Sequence, residues 1–199
     1  MNRTSSRTAK HNAKPRNRLR ITGGLWRSRL IEFPDVPDLR PTADRVRETL
    51  FSWLGQNLHG MRCLDLFAGS GVLGFEALSR GAQEVVMVEN HRAAFVSLEA
   101  NAARLDARNV SLVYADARQF VRTCSQRFDV VFVDAPFRAN ILEELLDALP
   151  RLLTGEGVVY LESGKKLEGV APKWKVLKSA QAGMVRFGLV QPPIKGEPQ

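Results

Sequence analysis

The stretch from Met61 to Gly71 constrains this 199-residue chain more than any other. Residues 61–67 read as a buried strand, the chain turns through Ala68-Gly-Ser-Gly71, and residues 72–79 continue as an apolar helix. A buried strand that feeds a glycine turn and then a helix is the opening unit of a parallel α/β sheet. The glycines let backbone approach a ligand closely, and the helix start presents oriented N–H donors. Gly69-x-Gly71 alone also fits an ordinary turn. The longer segment Asp65-Leu-Phe-Ala-Gly-Ser-Gly71 says more, because its spacing departs from that of dinucleotide-binding loops.

The rest of the body repeats the same alternation. Residues 85–89, 110–114, 128–134 and 157–162 read as strands, separated by helical stretches at 93–105, 117–123 and 141–153. The end changes rhythm: residues 174–178 and 184–190 flank Ala180-Gln-Ala-Gly183, which predicts an antiparallel pair added to the sheet. Upstream, residues 19–33 read as a short strand pair or turn around Gly23-Gly24. A helix over 44–58 would line one face with Val46, Leu50, Trp53, Leu54 and Leu58, with Thr42 as its cap and its charged face toward solvent or RNA.

With 44% hydrophobic residues, the chain suffices for one packed domain with an appendage. The expected divisions are a flexible basic tail at 1–17, an extension at 18–58, the body at 59–191 and a short tail at 192–199. No apolar run approaches bilayer length and the first residues lack a hydrophobic secretion segment, so a soluble cytoplasmic protein is expected; a monomer is the expectation for its oligomeric state, which no residue pattern fixes. Cys63 and Cys124, like His11, His59 and His91, lack metal-ligand spacing, so no metal is expected.

The location of charge is more informative than its net value of +8. Nine of the 29 basic residues lie in the first 29 positions, where there is no acid; the remaining 20 face 21 acidic residues. The body is therefore nearly neutral and the arm strongly cationic. Such an arm suits a polyanionic backbone, with salt-sensitive association through counterion release; a solvated tail is the plainer alternative.

Acidic residues recur at the ends of the predicted strands. Glu89, followed by Asn90, can accept hydrogen bonds from both hydroxyls of a ribose, as the acid of dinucleotide folds does. Asp116 can accept from an adenine amino group with Ala117 adding a backbone contact, and Asp65 can orient an ammonium or simply hold the turn. Each has a structural alternative as a surface or turn-stabilising carboxylate.

The glycine segment resembles the cofactor loop of class I methyltransferases, which implies S-adenosylmethionine held by Asp65, Phe67, Ala68, Gly69, Ser70, Gly71, Glu89, Asn90, Asp116 and Ala117. Asp134-Ala-Pro-Phe137 resembles the Asp-Pro-Pro-Phe or Tyr motif of amino-methyltransferases, with Ala in place of the first proline. That resemblance implies that Asp134 and the Ala135 carbonyl accept the hydrogens of an exocyclic amine, Phe137 stacks on the base and Pro136 stiffens the loop.

Two further segments, Gly23-Gly-Leu-Trp-Arg-Ser-Arg-Leu30 and Arg40-Pro-Thr-Ala-Asp-Arg-Val-Arg-Glu48, resemble the bacterial RsmD family over roughly residues 20–189. The resemblance implies a class I Rossmann-like α/β fold, with a seven-stranded mostly parallel sheet and an antiparallel C-terminal hairpin. It also implies methylation of the guanine N2 at position 966 of 16S ribosomal RNA in the small subunit, with adjacent ribosomal proteins as possible neighbours. Arg18, Arg20, Arg27 and Arg29 would then position RNA, and Arg40, Thr42, Arg45 and Arg47 would organise the entrance, with at least one of these arginines serving packing or a carboxylate pair. Competing readings are a DNA adenine methyltransferase, a methyltransferase for another RNA guanine, and a non-enzymatic RNA-binding protein.

Overall fold

The structure is a computed structural model that describes residues 17–37, 39, 42–135 and 141–193. The expectations placed on residues 1–16, Arg40, Pro136, Phe137 and 194–199 lie outside the described residues.

Nine strands and six α-helices follow one another as β1 (Asn17–Arg20), β2 (Leu30–Phe33), α1 (Asp44–Trp53), β3 (Arg62–Asp65), α2 (Val72–Ser79), β4 (Glu84–Glu89), α3 (Arg92–Leu105), β5 (Val110–Tyr114), α4 (Ala117–Thr123), β6 (Phe128–Val133), α5 (Ile141–Ala148), β7 (Leu153–Ser163), α6 (Leu167–Val170), β8 (Lys175–Ala182) and β9 (Val185–Gln191), counted among the described residues. Seven of the strands form one sheet in the order β5-β4-β3-β6-β7-β9-β8. The first five are mutually parallel, whereas β9 lies antiparallel between β7 and β8. The order reverses at β3 and β6. In an open α/β sheet, that reversal leaves a crevice beyond the carboxyl ends of the strands, where ligands bind.

Helices cover both faces of the sheet, which explains why the middles of the central strands, such as residues 85–88 and 130–133, are apolar on both faces. Cys63, Val85, Met87, Val130, Phe132 and Tyr160 join one core with residues of α1, α2 and α3. Their neighbours Leu64, Val86, Val88, Val131, Val133, Val159 and Leu161 join the other core with α4 and α5. Side chains alternate between faces along a strand. Asp65, Glu89, Asp134 and Glu162 therefore all continue the series on the α1–α3 face, at the carboxyl ends of β3, β4, β6 and β7.

The upstream hairpin of β1 and β2 is tied firmly to the body. Ile21, Trp26 and Ile31 share the core of Phe75 and Leu98. Leu25 N–H donates to the Ser79 carbonyl at 2.6 Å and Trp26 N–H to the Ser79 hydroxyl at 2.8 Å. Gly24 has φ of 75°, and a Cβ there would meet the Ser79 carbonyl oxygen at 1.8 Å, so only glycine permits this approach.

Several expectations need correction. The predicted helix over 44–58 ends at Trp53 because Gly55 and Gln56 take positive φ, although Leu58 still enters the core. Thr42 is not its cap: Ala43 occupies that position without a side-chain bond, and the Thr42 hydroxyl turns to Asp134 instead. Arg47 does not face solvent or an RNA entrance. It is 0% exposed, donates to Glu76 Oε2 at 2.9 Å and to the Arg20 carbonyl at 3.0 Å, and is thus committed to packing and a buried carboxylate pair. The stretch 141–153 is α-helical only to Ala148. Pro150 cannot donate to the helical ladder, and Leu149–Leu152 tighten into a 3-10 turn before β7 begins at Leu153.

Candidate active site

At the crevice, the glycine turn and the strand ends hold each other in place. Gly71 has φ of 80° and caps α2, and a side chain there would strike Phe75 and Leu98. Glu89 accepts from Gly69 N–H at 2.7 Å on Oε2 and from His91 N–H at 2.6 Å on Oε1, so one carboxylate pins the turn to the end of β4. Each oxygen can accept a further bond. Ser70 is buried and its hydroxyl accepts from Val72 N–H at 3.3 Å; Ala68 is buried, Phe67 half-buried and Asn90 exposed.

Asp65 is 1% exposed. Its Oδ2 accepts from Gly74 N–H at 3.2 Å, whereas Oδ1 has no partner among the described residues. Burial, reinforced by the Glu89 charge and opposed by the N–H groups of Gly74 and Phe67, pushes its carboxyl up to about 7. A buried carboxylate oxygen without a donor is costly unless a ligand supplies one. One oxygen of Asp65 thus holds the start of α2, the turn-stabilising role, and the other makes no hydrogen bond among the described residues.

Asp116 caps α4 through Oδ1, which accepts from Arg118 N–H at 3.0 Å and Gln119 N–H at 3.3 Å. Slight burial raises its carboxyl, but the bonds and charge of Arg118 and Gln119 outweigh this and hold it below the ordinary range. The residue is thus a helix cap whose Oδ2 takes none of these bonds, and Ala117 behind it is buried.

On the other side of β3, Asp134 follows β6 and accepts from the Thr42 hydroxyl at 3.3 Å through Oδ2. Burial, then the charges of Glu162 and Asp65, push its carboxyl well above the usual range, and the Thr42 bond opposes them. Ala135 is buried beside it. Glu162 accepts from the Tyr160 hydroxyl at 2.7 Å, and burial raises its carboxyl against the bonds from Tyr160 and Thr42. Tyr160 is raised too, by burial and by Glu162. The sequence marks Glu162 only as a strand end; the signal that could have found it is its parity with Tyr160, which places it on the face that Asp134 shares.

The arginines divide. Arg18, Arg20, Arg27, Arg29 and Arg45 are exposed. Arg18 pairs with Glu32 at 3.3 Å, and Arg29 donates to the Arg104 carbonyl at 2.6 Å. The loop bearing Arg27 and Arg29 docks on Ser79 and Arg104, at the carboxyl ends of α2 and α3. Helices between parallel strands run back along the sheet, so this loop lies at the edge opposite Asp134. β2 runs from there toward the crevice, and Leu39 lies against Gly69.

The family profile described as Conserved hypothetical protein 95 matches residues 19–191. The chain is 42% identical to the Escherichia coli protein named Ribosomal RNA small subunit methyltransferase D, over 94% of this chain and 97% of that one. The chain belongs to the RsmD family. The Haemophilus influenzae protein of the same name is 37% identical over 87% of this RsmD-family chain and 93% of its own. Among solved structures, Escherichia coli yhhF superposes with a TM-score of 0.81 at 41% identity, covering 90% of this chain and all of that one. A precorrin-6y C5,15-methyltransferase from Geobacter metallireducens, at 22% identity, matches with a TM-score of 0.65 over 80% of this chain and 94% of that one, a likeness of fold. The architecture is that of a class I methyltransferase, and this family member is a methyltransferase.

Among the described residues, no helix is long and apolar enough to cross a membrane, and no three potential metal ligands converge. The chemistry of the donor set fits S-adenosylmethionine: the unpartnered Oδ1 of Asp65 suits its ammonium, Glu89 its ribose hydroxyls and Asp116 its adenine amine.

Proposed function

We propose that this protein methylates the exocyclic N2 amine of a guanine in small-subunit ribosomal RNA, the residue at position 966 of 16S RNA, using S-adenosylmethionine. When bound, this cofactor supplies an electrophilic methyl on a sulfonium centre. The observation that carries the reading is Asp134, a carboxylate held by Thr42 at the carboxyl end of β6, across the sheet reversal from Asp65 and Glu89. Relatives named as small-subunit ribosomal RNA methyltransferases support the substrate class.

Asp134 and the Ala135 carbonyl hold the two amine hydrogens, which turns the nitrogen lone pair toward the methyl. Bound there, S-adenosylmethionine would supply its methyl to that nitrogen and leave as S-adenosylhomocysteine with the carbon–sulfur electron pair, while the released amine proton would pass by way of Asp134 to water. Alignment and exclusion of water do most of the work in such a displacement. Phe137 stacks on the base with Pro136 stiffening its loop, and Arg40 and Arg45 line the entrance. Arg18 and the cationic residues before it bind RNA, while Arg20, beside Leu30 in the hairpin register, joins Arg27 and Arg29 in reaching flanking RNA. The protein acts as a monomer in the cytoplasm on the assembled or assembling subunit.

The test is incubation with labelled S-adenosylmethionine and, separately, DNA, naked RNA and small subunits, followed by nucleoside analysis. N2-methylguanosine from the subunit is expected. N6-methyladenine in DNA, or cofactor binding with no transfer to any substrate, would refute the reading. The Asp134→Ala variant should lose at least about 100-fold in transfer rate, as oriented polar contacts at reacting centres do, with cofactor affinity within a few-fold.

A further inference from the structure

Glu162 is a second buried carboxylate beside Asp134, and the reaction described above leaves it without a task. Val133 of β6 pairs with Leu161 of β7 in parallel register, so the residues that follow, Asp134 and Glu162, end adjacent strands side by side. Adjacent strands lie about 4.8 Å apart, and both side chains belong to the α1–α3 face. Glu162 is 9% exposed.

The bonds around the pair leave it short of donors. The Tyr160 hydroxyl donates to Glu162 Oε1 at 2.7 Å. The Thr42 hydroxyl donates to Asp134 Oδ2 at 3.3 Å and also lowers the nearby Glu162 carboxyl, yet a hydroxyl has one proton and can donate to only one of them at a time. Among the described residues, neither Asp134 nor Glu162 enters a salt bridge with Lys or Arg. The neighbouring Asp65 adds another acceptor that lacks a partner. Burial raises all three carboxyls, and like charge adds to it at Asp65 and Asp134. What completes such a pocket is a ligand edge made of donors.

Of the nucleobases, guanine alone presents two adjacent donors on its Watson–Crick edge, N1–H beside the N2 amine. Adenine and cytosine set a ring acceptor beside their amine, and uracil flanks its single N–H with carbonyls. A flipped base is read through this edge. We propose that Glu162 is a specificity-determining residue that accepts the N1–H of the target guanine while Asp134 holds the N2 amine. Adenine would turn the N1 lone pair onto the Glu162 carboxylate and be rejected. The proposal rests on the amine-transfer reading above and deepens it by assigning the atom that selects the base.

The test compares single-turnover rates on small subunits reconstituted with ribosomal RNA that carries guanine or 2-aminopurine at the target position. The analogue keeps the amine and replaces N1–H with a lone pair. Wild type should prefer guanine by at least about 100-fold, since a site built around a donor rejects a base lacking it. Glu162→Gln, whose amide can donate to the bare nitrogen, should lower that preference at least about tenfold, and Glu162→Ala should lower it too. Asp134→Ala should slow both substrates by the same factor and leave the preference intact.

Because the comparison is a ratio within each variant, a folding defect or loss of the analogue's missing O6 contact cancels between variants. An unchanged preference in Glu162→Gln, including one in which both rates fall together, would overturn the proposal. Wild type that forms no N2-methylguanosine, or Asp134→Ala that works at the wild-type rate, would instead overturn the amine-transfer reading.

Discussion

Replacing Asp65 with Asn tests whether this protein holds a destabilising carboxyl for the sake of a ligand. The ordinary carboxyl value is 3.8 and burial pushes the folded one up to about 7. Between these values the folded chain holds a proton that the unfolded chain has released, so stability falls as pH rises from about 4 through about 7. At roughly 1.4 kcal/mol per pH unit, ionising this one group costs about 4 kcal/mol by pH 8. Asn cannot ionise, and its carbonyl oxygen can still accept from Gly74 N–H as Asp65 Oδ2 does. Its amide donor can turn toward Glu89, the charge that Asp65 feels.

Urea unfolding of both proteins without cofactor, at intervals from pH 5 to 8.5, isolates the effect. The stability of Asp65→Asn relative to wild type should rise by about 2 kcal/mol from pH 5 to 7 and level off by about pH 8, because the folded carboxyl is itself half ionised at the upper end of that window. Any fixed cost of the substitution drops out of the difference. The same variant should bind S-adenosylmethionine at least about tenfold more weakly, having lost the charge that would meet an ammonium. Parallel pH profiles for the two proteins, within about 1 kcal/mol, would refute the account of Asp65.

Two other perturbations address the extension and the arm. Glu76 is 0% exposed and accepts from Arg47 at 2.9 Å, from Arg80 at 2.8 Å and from Thr22 N–H at 2.9 Å, so Glu76→Gln leaves two guanidinium groups short of their counter-charge. Its urea midpoint should fall by the equivalent of about 3 kcal/mol, the cost of breaking a buried pair on one side; a loss under about 1 kcal/mol would contradict it. Deleting residues 1–16 removes Arg3, Arg7, Lys10, Lys14 and Arg16. The slope of log affinity for small subunits against log salt should flatten by up to about 4, since each phosphate contact contributes roughly 0.7 to 0.9. An unaltered slope and affinity would assign the arm to some other task.

Some elements were readable to the residue. Val72–Ser79, Val110–Tyr114 and Ala117–Thr123 occupy the spans that hydropathy period and flanking residues predict, with Asp116 capping the last of them. The antiparallel pair at the end was also visible, but not that β9 inserts between β7 and β8 and leaves β8 at the edge. Strand β7 begins at Leu153, four residues before its predicted start, because Leu153 pairs with Phe128 across an irregular register that no local pattern records.

At the site, the sequence by itself determined that acidic residues stand at successive strand ends beside a glycine turn, because strand length, alternation and turn chemistry are written in neighbouring residues. Only the tertiary structure decided which charges are buried and what they meet. Arg47 and Arg45 look alike in the chain, yet one is enclosed against Glu76, 29 positions away, and the other is exposed. Thr42 reaches Asp134 across 92 positions, and Glu162 stands beside Asp134 because two strands pair. The state of a carboxyl depends on the donors and water around it, and in this fold those are supplied by distant parts of the chain.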